Sequence, residues 1–187
     1  SDEVYEHLIY DGLTHQSVLA YPHLAARSFA VFSFGKTYHM TGWKVGYCIA
    51  PQAFTDALRR VHQFVTFSVP TPFQWACKDM MEAFPNYEKG LAEFFQKKRD
   101  LFLKNLQGSR FQVFSPQGSY FALADFSQIS QQPDLEFSRW LTERARVASI
   151  PVSVFSKDKS QALSLLRFCF AKEDTELREA CLRLKKI

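Results

Sequence analysis

Apolar and polar residues alternate in blocks near the start of the chain, and these blocks predict two strands. The runs 28–34 and 43–50 are short, rich in β-branched and aromatic residues, and bounded by polar residues or proline. That length and composition are typical of buried strands. The stretch between them, 35–42, is polar and has glycine at each end, which predicts a loop.

Helical periodicity follows the two strands. One face of a predicted helix carries the apolar residues Phe54, Leu58, Val61 and Val65. Pro70 and Pro72 are expected to end this helix, because an interior proline removes a backbone hydrogen bond. A second helix is predicted over 72–83, and Pro85 breaks the chain after it.

The character of the pattern changes after this break. A long helix is predicted over 86–107, with Gly108 as its C-cap. The remaining predicted elements are strands at 111–114 and 119–125, a helix around Phe137, Trp140 and Leu141, strands at 147–154 and 163–170, and a last helix carrying Leu177, Cys181, Leu184 and Ile187. We therefore predict an α/β part over 1–85 and a smaller α+β domain over 86–187, with the long helix at its start.

Charge and hydropathy favour a globular protein of no special class. The formal net charge is +4, and the basic clusters 97–99 and 185–186 lack the interleaved glycine and aromatic residues of a nucleic-acid surface. We interpret them as solvated helix faces and expect no nucleic-acid partner. No apolar run has the length of a membrane span, and the acidic start lacks an apolar signal segment, so we expect no membrane partner either.

Cysteine and histidine usage gives no sign of a metal site. The cysteines are Cys48, Cys77, Cys169 and Cys181. They form no C-x-x-C pair and lie among apolar residues, which predicts small buried thiols in a reducing cytoplasm. His7 and His39 lack partners at metal-ligand spacing. We predict a cytoplasmic protein without a bound metal.

Lys36 is the first candidate for chemistry. It follows the first predicted strand and stands beside Gly35, a residue that lets a ligand approach the backbone closely. A partly desolvated lysine can lose its proton below its ordinary pKa, which a Schiff-base amine requires. The tripeptide 35–37 also resembles the end of a P-loop, but Ala30 stands where the first glycine of that motif belongs. An ordinary surface lysine is the remaining alternative.

A second candidate, Arg167, lies in an otherwise apolar predicted strand. A guanidinium in apolar surroundings is costly unless it meets an anion. Capture of a carboxylate by two parallel hydrogen bonds suits its planar shape. An internal pair between Arg167 and an aspartate remains the alternative.

Four segments, in this order, resemble the motifs of fold-type I pyridoxal-phosphate aminotransferases of class I and II. They are DEVYEH at 2–7, SFGKTYHMTGWKVG at 33–46, PQGSYF at 116–121 and LRFCFA at 166–171. The similarity is closest to bacterial methionine aminotransferases and to kynurenine/glutamine aminotransferases. The resemblance implies part of the large cofactor-binding domain, a mostly parallel sheet with helices, followed by the small carboxy-terminal domain.

The resemblance also implies roles for three residues around the cofactor ring. Lys36 would carry pyridoxal phosphate as a Schiff base and would move a proton once the substrate amine has displaced it. Asp2 would keep the pyridine nitrogen protonated, so that the ring can accept carbanion charge. Tyr5 would form a hydrogen bond to the 3-oxygen of the ring.

Three further residues would hold the charged groups of cofactor and substrate. Ser33 and Lys44 would bind the phosphate, and Arg167 would bind the substrate α-carboxylate. Many relatives carry arginine where this chain has Lys44, although the kynurenine branch also uses lysine there. The expected reaction is transfer of an amino group from methionine, an aromatic or another large neutral amino acid to a 2-oxo acid.

The resemblance also leads us to expect a longer chain and a partner subunit. The resemblance begins in the middle of the large domain, so we expect a carboxy-terminal half that binds the cofactor poorly by itself. It also implies a homodimer. Two alternatives stay open: a carbon–sulfur β-lyase on the same fold, and a non-catalytic regulatory module related to aminotransferases.

Overall fold

A computed structural model describes residues 1–158 and 164–187. The chain divides into two units, Ser1–Ala92 and Glu93–Ile187. The domain boundary that we infer from the sequence, between 85 and 86, stays a prediction. Leu163, the first residue of the predicted strand 163–170, lies outside the described residues.

The first unit contains a small sheet that joins the start of the chain to two strands. Strand β1 (Ala30–Ser33) pairs antiparallel with β2 (Gly46–Ile49). A parallel bridge links Asp2 to Val31, with Glu3 N donating to Val31 O at 2.8 Å and Val31 N donating to Ser1 O at 2.9 Å. The mixed α/β class is confirmed. The sequence predicts a mostly parallel sheet, but among the described strands of this unit the bridge between Asp2 and Val31 is the only parallel pairing.

Strand β2 differs from its prediction as a buried strand. All four of its residues are exposed, and Tyr47 retains 40% of its accessible surface. The prediction of buried thiols is therefore wrong for Cys48, and also for the exposed Cys169, whereas Cys77 and Cys181 are buried. An open cleft of about 350 Å³ is lined by residues of β2 and by Leu58 and His62 of the helix at Gln52–Val65. Because that helix does not pack closely on the strand, the apolar side chains of β2 reach solvent.

The helices of the first unit largely follow the predicted pattern. They are α1 (Pro22–Ala25), α2 (Phe34–Thr37), α3 (Gln52–Val65) and α4 (Thr71–Ala83), with 3-10 turns at Val18–Ala20, Thr41–Trp43 and Tyr87–Gly90. The predictions of α3 and α4 are confirmed. The predicted loop at 35–42 is wrong at its start, because the backbone after β1 continues directly into the helical turn α2.

The apolar face of α3 is exposed as well. Val61 retains 60% and Val65 76% of its accessible surface. Periodicity predicts that a helix forms and which side of it is apolar, but it does not say what covers that side.

Gly46 is a position where a side chain cannot be accommodated. A β-carbon added there would lie 2.3 Å from the carbonyl oxygen of Phe32, across the β1–β2 ladder. We expect Gly46→Ala to lower the free energy of unfolding by about 3 kcal/mol, because the two backbones must separate. Urea unfolding measures this loss.

Gly42→Ala is the matched control for Gly46→Ala. A β-carbon at Gly42 meets no atom within 4 Å, so this variant is expected to unfold within about 1 kcal/mol of the parent protein. Equal stability of the two variants would contradict the close approach of β1 and β2 at Gly46.

The second unit is an antiparallel sheet packed against helices. Its elements are α5 (Leu91–Leu106, which begins at the end of the first unit), β3 (Gln112–Val113), β4 (Phe121–Asp125), α6 (Asp134–Ala145), β5 (Ile150–Pro151), β6 (Leu165–Cys169) and α7 (Asp174–Leu184). The strand order is β3-β4-β6-β5. One face of β4 and β6 is fully buried and consists of Ala122, Ala124, Leu166 and Phe168. The residues between them lie on the other, half-exposed face.

The long helix begins later than predicted. Asn86 adopts a left-handed backbone conformation with φ 72°, and residues Tyr87–Gly90 form a 3-10 turn before α5 starts at Leu91. The predicted helix end is confirmed, since Gly108 is left-handed just beyond Leu106. The left-handed residue at Asn86 explains the late start, because an α-helix cannot continue through it.

The predicted strand over 147–154 is also shorter than expected. Strand β5 covers Ile150–Pro151, and a 3-10 turn, Val152–Phe155, follows it directly. Pro151 contributes no N–H group to the sheet, and the Ser153 N–H group donates to the buried Asp134 carboxylate at 2.7 Å instead of to a strand. The backbone therefore leaves the sheet at Pro151.

Among the described helices, none combines the length and the hydropathy that crossing a bilayer requires. Within the same residues, no group of three or more His, Cys, Asp or Glu side chains is arranged to hold a metal ion.

Candidate active site

Lys36 lies on the helical turn that directly follows β1. The turn is closed by Tyr38 N donating to Phe34 O at 2.8 Å and by Met40 N donating to Gly35 O at 3.0 Å. A β-carbon at Gly35 would lie 3.0 Å from the α-carbon of Thr41, so the turn can close this tightly only around a glycine. The backbone that carries the amine is therefore held from both sides.

The structure brings two of the predicted residues, Lys36 and Tyr5, together. The Nζ atom of Lys36 lies 5.8 Å from the centroid of the Tyr5 ring, and both residues are half-buried. An amine at this distance from an aromatic face has an attractive electrostatic interaction with the ring. A hydroxyl-bearing ring and a primary amine thus share one side of the first unit.

Asp2 stands on the exposed side of the bridge to β1. The backbone groups of Ser1 and Glu3 hold Val31 from either side, so Asp2 and Glu3 point to opposite faces of the short strand. Glu3 is buried, whereas the Asp2 carboxylate is exposed, and its Oδ1 accepts from Val4 N at 3.4 Å. The bridge fixes the Asp2 backbone and leaves its charge accessible.

Sequence reasoning missed Glu3, which anchors this strand from the buried side. It is only 3% exposed, its Oε2 lies 2.9 Å from His15 Nε2, and its Oε1 accepts from Val18 N at 3.0 Å. Burial raises the pKa of Glu3, but hydrogen bonds from the Ser17 and His15 side chains outweigh it and lower the pKa to about 2. A single acidic residue in the sequence gives no sign of such a network.

The network makes the start of the chain sensitive to acid. A carboxyl group with a depressed folded pKa stabilises the fold above its unfolded pKa of 4.5, and this contribution is lost as the pH falls to about 2. We expect the opening free energy at the Val18 amide to drop by about 2–3 kcal/mol over this window. Hydrogen exchange of that amide measures it.

Glu3→Gln is the control for the acid response. The amide cannot ionise, so its opening free energy is expected to be low at pH 6 and nearly constant down to pH 2.5. An unchanged opening free energy of the unsubstituted protein across the same range would contradict the role of Glu3.

Ser33 is the last residue of β1, and Lys44 lies on the connection between β1 and β2. Ser33 is the half-buried residue before α2, and its hydroxyl makes no capping hydrogen bond to that turn. Lys44 is exposed and left-handed, with φ 57° and ψ 40°. This conformation costs a lysine about 1–2 kcal/mol, so the surrounding turn must impose it. A hydroxyl group and an ammonium group are thus both available in this part of the first unit.

Arg167 lies in the second unit and has an unforeseen environment. It is half-buried on the open face of the sheet, whereas its neighbours Leu166 and Phe168 face the core, so the guanidinium avoids the predicted cost of a charge in apolar surroundings. Its guanidinium carbon lies 4.7 Å from the Phe121 ring centroid and 4.9 Å from that of Phe155. In residues 1–158 and 164–187 no carboxylate forms an ion pair with it, so the alternative of an internal pair finds no support there.

Comparisons with known proteins all identify aminotransferases, over nearly the whole chain. A family model for aminotransferases of class I and II matches residues 1–184. The methionine aminotransferase of Escherichia coli K12 is 48% identical over 187 residues, covering 100% of this chain and 48% of the relative. A kynurenine–oxoglutarate transaminase of Dictyostelium discoideum is 38% identical over 210 residues, covering 100% of this chain and 48% of the relative.

A solved structure has the same fold. It is YbdL from Escherichia coli, for which a methionine aminotransferase function was identified, and it matches with a TM-score of 0.94 at 48% identity, covering 100% of this chain and 49% of that chain. The chain spans about half the length of the curated relatives it matches.

Proposed function

Because the chain belongs to the class I and II aminotransferase family, we propose that the protein containing it transfers amino groups between amino acids and 2-oxo acids. Members of this family use pyridoxal phosphate. The observation that carries the proposal is the contact between Lys36 and Tyr5, in which the amine lies 5.8 Å from the ring centroid.

The residues present fit the cofactor by the chemistry of their donor and acceptor groups. Lys36 supplies a primary amine for the aldehyde, and the exposed Asp2 carboxylate supplies an anion for the ring nitrogen. Tyr5 supplies a phenol for the 3-oxygen of the ring. The Ser33 hydroxyl and the Lys44 ammonium supply a donor and a positive charge for the phosphate.

Three residues of the chain would each have a separate role in the reaction. Bound pyridoxal phosphate supplies an electron sink for carbanion charge. Lys36 would attach the cofactor and then move the proton at the substrate α-carbon. Asp2 would hold a proton on the ring nitrogen. Arg167 would bind the substrate α-carboxylate and thereby orient the bonds at the α-carbon.

We propose large neutral amino acids, methionine and aromatic ones among them, as amino donors. The support is the 48% identity to a methionine aminotransferase and the 38% identity to a kynurenine–oxoglutarate transaminase. We also propose that the protein acts as a homodimer in the cytoplasm. The division at 85 and 86 into large-domain and small-domain parts belongs to the same proposal.

The test is amino transfer by the natural protein that contains this chain, purified with pyridoxal phosphate. We expect 2-oxo acid to form from methionine when a second 2-oxo acid is supplied as acceptor. Pyruvate and ammonia released from a cysteine conjugate, without amino transfer, would instead identify a β-lyase. No reaction with any amino acid would contradict the proposal.

A further inference from the structure

The guanidinium of Arg167 lies next to two aromatic rings from different parts of the second unit. The Phe121 centroid lies 4.7 Å from the guanidinium carbon and the Phe155 centroid 4.9 Å from it. Aromatic faces attract cations at such distances, and an arginine can stack on them through its planar group. Both rings therefore restrict where the guanidinium can lie.

Phe121 is placed by the register of the sheet. Arg167 pairs with Leu123 of β4, and Phe121 is two residues from Leu123 on the same face of that strand. A diagonal neighbour in an antiparallel pair lies within reach of a long side chain. The register of the sheet thus places the Phe121 ring next to the guanidinium.

Phe155 is placed by a buried hydrogen-bond network. The Asp134 carboxylate, 1% exposed, accepts from Ser153 N at 2.7 Å and from the Ser153 hydroxyl at 2.7 Å. Ser153 belongs to the 3-10 turn Val152–Phe155, so the buried carboxylate fixes the turn that carries the ring. A firmly anchored turn presents a phenylalanine that is 62% exposed.

The two neighbouring rings affect how the guanidinium can bind an anion. The N–H groups of a guanidinium lie in its plane, and a carboxylate binds them from the edge through two parallel hydrogen bonds. Two ring centroids at 4.7 and 4.9 Å from the guanidinium carbon limit the orientations that the group can take, and so they help to fix the direction of its N–H groups. The described carboxylates leave Arg167 without an internal ion pair, so the edge is not used by one.

We propose that Phe121 and Phe155 are positioning residues, which hold the Arg167 guanidinium so that its edge binds the planar α-carboxylate of the substrate. The assignment rests on the proposed function, because it takes Arg167 as the carboxylate-binding residue. It adds that binding of the carboxylate requires an aromatic ring at position 155. Core packing does not account for this ring, because Phe155 is 62% exposed.

The test compares Phe155→Leu with Phe155→Tyr in the natural protein that contains this chain. Leucine keeps apolar bulk and removes the aromatic face, whereas tyrosine keeps the face. We expect Phe155→Leu to raise the KM for methionine about 5–30-fold with little change in kcat, as loss of a cation–π contact and of ground-state binding predicts. Phe155→Tyr is expected to stay within about 2-fold of the parent protein.

Direct binding provides a readout without turnover. Calorimetric titration with 4-methylthiobutanoate, which is methionine without its amino group, is expected to show the same loss of affinity in Phe155→Leu. Titration with the corresponding amide is expected to show no difference, since the amide lacks the anion. Phe121→Leu gives a second variant, at the other ring, and thermal melts confirm that each variant is folded.

Each outcome decides the proposal. Equal KM and equal carboxylate affinity in Phe155→Leu and Phe155→Tyr would overturn it, and so would an equal loss for the acid and the amide. If the protein transfers no amino group at all, the proposed function fails, while the two titrations still test whether the aromatic faces control carboxylate binding.

Discussion

Lys36→Ala is expected to abolish amino transfer. The variant loses both the amine that attaches the cofactor and the base that moves the substrate proton. Loss of a positioned proton-transfer group lowers a rate by about 10²–10⁴-fold, and loss of attachment adds to that. The rate of 2-oxo acid formation from methionine measures the effect in the natural protein that contains this chain.

Covalent attachment provides a second measurement for the same variant. Borohydride reduction followed by peptide mapping is expected to leave the cofactor on the peptide that contains Lys36, and on no peptide of Lys36→Ala. Lys78→Ala is the control, because Lys78 lies on the surface of α4 and pairs with Glu82 at 2.7 Å. Substantial turnover by Lys36→Ala, or attachment at another lysine, would contradict the assignment.

The helices show what the sequence alone can predict. Helix α3 ends at Val65, before both prolines, and α4 covers Thr71–Ala83 with Pro72 in its first turn, in agreement with the apolar spacing. These are local signals, since each residue affects the backbone near it. Burial of α3 depends on what packs against it, and the exposed Val65 shows that periodicity does not determine this.

For the candidate site, too, the sequence names residues but does not reveal their surroundings. The resemblance named Lys36 and Arg167, but neither motif indicates that Lys36 lies on a helical turn or that Arg167 lies next to two aromatic rings. Phe155 comes to Arg167 through the sheet and through a hydrogen bond between Ser153 and Asp134. Such contacts join residues that are far apart in the chain, and a pattern read along one sequence contains no information about them.

Asp2→Asn is expected to cause the second large loss of activity. Asparagine has nearly the shape of aspartate but cannot carry its charge, so the proton on the cofactor ring nitrogen loses its partner. An adjacent opposite charge favours the protonated form by about 1–3 pKa units, and we therefore expect kcat to fall about 10–10³-fold. The pKa of the cofactor ring nitrogen is expected to be lower in the variant.

The geometry separates this electrostatic effect from a loss of structure. Asp2 is tied to β1 by backbone groups, with Glu3 N donating to Val31 O at 2.8 Å and Val31 N donating to Ser1 O at 2.9 Å, and neither bond uses the Asp2 carboxylate. Asp2→Asn should therefore keep the opening free energy of the Val18 amide, which reports on the adjacent Glu3 network. Asp56→Asn, on the exposed surface of α3, is the matched control for removing one negative charge. A kcat of Asp2→Asn equal to that of Asp56→Asn would show that the ring nitrogen does not depend on Asp2.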